Sequence, residues 1–176
     1  MRKILAAGAI ALAAVVSQAA AINWQINNIQ PSPTTAASTG WLVQIYDAST
    51  AFSFDAAKGG SITALGSSTS TASGTIYKAS GSFGNYSGGT EVSIYAVIYD
   101  ATSIADAKNY VISSALTKTV NAAGSDLSMS FGNMASTATT NMFRNSSWTA
   151  AAVPEPTSGL LILLGMAGLA LRRRRA

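Results

Sequence analysis

Six carboxylates stand upstream of the C-terminal tail: Asp47, Asp55, Glu91, Asp100, Asp106 and Asp126. Two that converge on one sugar would be enough for glycoside hydrolysis, one as acid and the other as base or nucleophile. Most of these aspartates, however, adjoin Ala, Ser or Gly in turn-like sequence, where a short carboxylate bonds its own backbone. They read as solvated turn residues. The chain has no histidine and no cysteine. That removes Ser-His-Asp triads, Cys-His dyads and imidazole bases, along with the usual zinc and transition-metal sites. The stretch "DATSIADA" (100–107) lacks the spacing of a calcium loop, and "GNYSGG" (84–89) matches neither phosphate-cradling glycine pattern. No catalytic residue, metal or cofactor is expected, and the body reads as non-enzymatic.

Aromatic rings offer the other chemistry. Trp24, Trp41, Trp148, Tyr77, Tyr86, Tyr95 and Tyr99 would either stack on sugars or fill a core. Trp41, beside "LVQI", reads as core. Tyr86, inside "GNYSGG", is expected to be exposed and is the candidate glycan contact. An extracellular carbohydrate-binding module is therefore the alternative to a structural or adhesive role. Asn85 and Asn145 each open an N-x-[ST] tripeptide, a weak signal in a Ser- and Asn-rich chain.

The elements that must position these residues read as β-strands. "GWLVQIYDAST" (40–50) and "TEVSIYAVIYDATS" (90–103) alternate with period two and are rich in Val, Ile and Tyr. Weaker strand candidates are 22–29, 74–83, 108–114, 126–132 and 142–148, and 50–57 reads as a strand or a helical turn. Clusters such as "KGGS", "GSSTSTASG", "GNYSGG" and "NAAGSD" read as turns and loops. The middle of the chain shows no sustained apolar stripe of helical period. The expectation is an all-β body, an antiparallel β-sandwich or jelly-roll, with a β-solenoid as fallback although no fixed repeat supports one. "VQIYDAST" (43–50) echoes "AVIYDATS" (96–103). Asp47 and Asp100 would be equivalent metal-binding positions in a duplicated half, or simply the turn residue after each strand. The turn reading is preferred.

The two ends carry an address. Arg2 and Lys3 precede an apolar run from Ile4 to Val16, and small residues follow, so cleavage after Ala19 or after Ala21 satisfies the small-residue rule for a signal peptide. Residues 1–21 are thus expected to be a signal helix for the general secretory route, and 22–152 the body. The net charge of +4 is misleading. Six of the eleven basic residues lie in the terminal segments, and the remainder faces seven acids. No clustered basic face supports nucleic-acid binding.

The chain ends "VPEPTSGLLILLGMAGLALRRRRA" (153–176). Gly159 to Leu171 is thirteen uncharged residues, about 20 Å as a helix against roughly 30 Å of hydrocarbon. Such a transmembrane helix is short, and Arg172, Arg173, Arg174 and Arg175 would hold its end on the cytoplasmic side. Pro154 and Pro156 enforce an extended stretch ahead of it, which suits a processing enzyme better than a permanent anchor. The Pro154-Glu155-Pro156 triplet, the apolar segment and the arginine cluster, paired with an N-terminal signal, closely resemble the PEP-CTERM sorting domain. The resemblance covers only the tail. It implies a substrate of exosortase, a membrane-embedded cysteine enzyme of Gram-negative bacteria, cut as an inner-membrane intermediate on its way to the cell surface or an exopolysaccharide matrix. Within the tag, Pro154, Glu155 and Pro156 would be the recognition element, 159–171 the membrane segment, and Arg172 to Arg175 the cytoplasmic lock.

Overall fold

The computed structural model describes residues 19–151. The expected signal helix (up to residue 18), the tag and its membrane segment 159–171 lie outside the described residues. Among the described residues no helix is long and apolar enough to cross a membrane. In chain order the elements are β1 (Ala19–Asn27), β2 (Leu42–Asp47), α1 (Phe54–Lys58), β3 (Gly66–Thr69), β4 (Thr71–Ser73), β5 (Ile76–Ser87), β6 (Glu91–Tyr99), β7 (Asn109–Ile112), β8 (Leu116–Thr119), β9 (Leu127–Asn133) and β10 (Thr149–Ala150). The all-β expectation holds.

Alternation decides which side chains meet. Ala20, Ile22, Trp24 and Ile26 of β1 point the same way and share one apolar cluster with Val43 and Ile45 of β2, Val92, Ile94, Ala96 and Ile98 of β6, and Met129 and Phe131 of β9. Each Ile or Val removed from water contributes about 1.5–3 kcal/mol. The strands form a four-stranded sheet ordered β4-β5-β1-β9 and a six-stranded one ordered β10-β7-β6-β2-β3, with β8 also on β6. Both sheets line that cluster. The opposite face of β6 is buried too: Tyr95, Val97 and Tyr99 join Tyr46 under Phe54 and Ala57 of α1. Burial on both faces fits the near-continuous apolar run of β6. The Tyr46 and Tyr99 hydroxyls lie 3.2 Å apart, and burial pushes both phenols above their ordinary pKa.

Several expectations change. The arrangement is not wholly antiparallel, because β1 runs parallel to β9, Trp24 opposite Met129. A parallel pair needs a long connection rather than a hairpin, and the chain visits both sheets between these two strands. Within residues 50–57 the helical alternative is realised over the second half, as α1 (Phe54–Lys58). Ser53 caps α1, its hydroxyl accepting from the Ala56 amide, with Asp55 in the first turn and Lys58 in the last, the charge order the helix dipole favours. "GSSTSTASG" (66–74), read as loop, instead supplies β3 and β4. Ser70 makes the corner between them and is 1% exposed. Its hydroxyl accepts from the Trp41 amide at 3.0 Å and donates to the Ser38 carbonyl at 2.6 Å. Residues 142–148 form turns rather than a strand. The buried Asn141 side chain accepts from the Phe143 amide and turns Phe143 into the core against Phe131. β1 begins at Ala19, ahead of the expected body boundary at 22.

Candidate functional site: a Tyr86 cleft with two carboxylates

The carboxylates part company in the fold. Asp55 sits in the first turn of α1. Asp106 accepts from the Ser103 hydroxyl at 2.7 Å. Asp126 accepts from the Ala21 amide at 3.0 Å and from the Asn23 side chain at 3.3 Å, so it fastens the start of β1. Asp100 is buried among donors. Its oxygens accept from the backbone of Lys108 and Asn109, both at 2.9 Å, and from the side chains of Asn109 and Ser32, both at 2.8 Å. Burial alone would raise this carboxyl, yet the donors outweigh it and hold the pKa below its ordinary value. Asp47 and Asp100 are therefore not equivalent. β2 and β6 are antiparallel, which sends the two aspartates to opposite ends of the pair, one exposed and one clamped. Among the described residues no group of three or more acids is placed to hold a metal ion.

Asp47 and Glu91 do share a site. A cleft of about 480 Å³ is lined by Asp47, Ala48, Ser49, Leu65, Tyr86, Glu91, Val92 and Ser93. Three segments build it: the end of β2, the approach to β3, and the passage from β5 in one sheet to β6 in the other. The amide and hydroxyl of Ser49 donate to Asp47 Oδ1 at 2.8 and 2.6 Å, which holds its carboxyl below the usual range. Tyr86 stands edge-on to Phe83, centroids 6.2 Å apart at 85°. Its phenol is pushed up by partial burial and then by the Asp47 charge.

Tyr86 reaches this place through an irregularity. Ala20 pairs with Tyr86 while Ile22 pairs with Phe83, so β5 carries one extra residue there. Gly84 supplies the bulge with φ +68°, the left-handed conformation a glycine bulge uses. In a regular strand Phe83 and Tyr86 would face opposite sides. The bulge puts both on the inner side, Phe83 in the core and Tyr86 half-buried at the lip. The glycine-rich sequence around Tyr86 predicts an exposed loop, and the residue lies on a bulged strand instead.

The other aromatic candidates are committed elsewhere. Trp24 and Trp41 are each 2% exposed, and Trp148 packs edge-on to Trp41 at 5.6 Å. Tyr77 lies half-buried against the main core, and Tyr95 and Tyr99 belong to the aromatic cluster under α1. The pairing of Asp47 with Glu91 has no sequence signal, since the β2–β6 register creates it. Only the short spacing of Tyr86 and Glu91 across "SGGT" hints at the site.

The family model of the PEP-CTERM protein-sorting motif matches residues 152–175, beginning directly after the buried Ala151 that closes the described body. No curated protein and no solved structure matches the chain. The tail is a PEP-CTERM protein-sorting motif, which implies export and surface sorting in bacteria with exosortase as the processing partner.

Proposed function

We propose that this chain is a non-enzymatic surface or extracellular-matrix protein of a Gram-negative bacterium whose adhesive role is contact with polysaccharide through the Tyr86 cleft. The body that carries the cleft is a β-sandwich, inferred from two sheets lining one apolar cluster. In the tag, Pro154, Glu155 and Pro156 serve recognition, 159–171 holds an inner-membrane intermediate, and Arg172 to Arg175 lock its cytoplasmic end. The observation that carries the reading is the composition of the cleft: one half-buried tyrosine beside two carboxylates and the Ser49 and Ser93 hydroxyls. An aromatic face suits the C–H side of a sugar ring, and the oxygens suit its hydroxyls. Two carboxylates in one cleft also match the number a glycosidase requires. A carboxyl held below its ordinary pKa, as Asp47 is, suits the ionised member of such a pair and not its proton donor, so hydrolysis would need Glu91 as the acid.

The test is sedimentation of the mature protein with the host's purified exopolysaccharide. Tyr86→Ala should weaken binding about tenfold, the scale of one lost aromatic contact, while Tyr86→Phe should retain most of it. Equal binding by wild type and Tyr86→Ala would sink the proposal.

A further inference from the structure

The small-residue rule leaves two positions open for removal of the leader, after Ala19 and after Ala21, because Ser17 with Ala19 and Ala19 with Ala21 both satisfy it. The fold separates them. β1 starts at Ala19, which is exposed, whereas Ala20 is 0% exposed and belongs to the main apolar cluster. Ala20 is also the cross-strand partner of Tyr86. The Ala21 amide donates to Asp126 Oδ1 at 3.0 Å, a contact that joins β1 to the chain leading into β9. A cut after Ala21 would delete a core residue, the strand partner of Tyr86 and the Asp126 contact together.

We propose that the processing site is the Ala19–Ala20 bond and that Ala20 is the first residue of the mature protein. This rests on the export reading. Water adds across that amide, catalysed by a membrane-bound signal peptidase, and leaves a carboxylate on Ala19 and an α-ammonium on Ala20. The ammonium then lies one residue from the amide that Asp126 already binds, where the carboxylate attracts it. Ala19 is exposed, so its loss with the leader removes one strand pairing, to Ser87, and no core side chain.

The experiment is N-terminal sequencing, with intact mass, of the protein recovered from its host, all fractions included, after expression from the full-length gene. The expected product begins Ala20-Ala21-Ile22. A product beginning at Ile22 overturns the proposal while leaving export standing, whereas retention of Met1 removes the export reading and the proposal with it. A Ser17→Leu variant, altered outside the described fold, should be cut poorly after Ala19 and shift toward Ile22. Its Ile22 product should unfold at lower urea than the wild-type product. Equal midpoints for the two products would remove the structural ground for preferring Ala20, and the site would then rest on the sequenced N-terminus.

Discussion

Asp100 shows how much a single carboxylate can hold together here. It is 6% exposed, and its donors come from the 32–34 loop as well as from the start of β7. An ionised acceptor makes hydrogen bonds worth about 1.5–3 kcal/mol each, and a donor left unpaired costs comparably. Asp100→Asn can no longer accept from all of them, so its stability at neutral pH should fall by about 2–3 kcal/mol. Because the folded pKa is lowered, the stability that ionised Asp100 contributes is fully present above the unfolded value, about 3.9. It is lost as pH falls through the folded value. Urea unfolding of the two proteins should therefore give a wide gap in midpoint at pH 7 and a narrower one at pH 3. A gap that does not shrink in acid would mean the shape of Asp100, rather than its charge, holds the loop.

At the scale of elements, the β5 bulge links backbone conformation to the cleft. A Cβ at Gly84 would meet a positive φ and would collide with the Tyr86 ring. Gly84→Ala should destabilise the protein by about 1–2 kcal/mol. It should also weaken polysaccharide binding as Tyr86→Ala does, since relief of the strain turns Tyr86 away from Asp47. Calorimetric unfolding with the sedimentation assay checks both halves, and a destabilised variant with intact binding would separate the bulge from the site. Elements differed in how legible they were. β2 and β6 could be read because Val43, Ile45, Ile94 and Ile98 alternate along chains buried by packing. β3 and β4 could not, because edge strands of Ser and Thr with mostly exposed side chains carry no apolar rhythm and depend on the buried Ser70 corner. The cleft stayed hidden for another reason: Tyr86 enters by a bulge and Asp47 by the register of a distant strand, and neither is encoded in local spacing.

The whole molecule has two poles, and the ends of the chain are divided between them. Ala19 pairs with Ser87 beside the turn into β6, the pole of Asp47 and Glu91. Ala151 lies at the other, its amide donating to the Lys108 carbonyl next to Asn109 and Asp100. The nine residues of β6 separate the poles, a span of about 30 Å at roughly 3.3 Å per residue. The tag follows Ala151 at once. On the proposed membrane intermediate, a body held by its tag alone would carry the Tyr86 cleft at the pole remote from Ala151, and the proposed removal of the leader would free that pole. The chain has no cysteine, so single-cysteine variants report one position each. If the proposed tagged intermediate accumulates in cells lacking exosortase, a fluorophore on Ala105→Cys should there be quenched by lipid-borne quenchers more strongly than one on Thr90→Cys. Both sites are exposed, at the Asp100 and Glu91 ends respectively. Equal quenching would mean that the body lies with its strands along the membrane, and the cleft would then have to find its polysaccharide from the side.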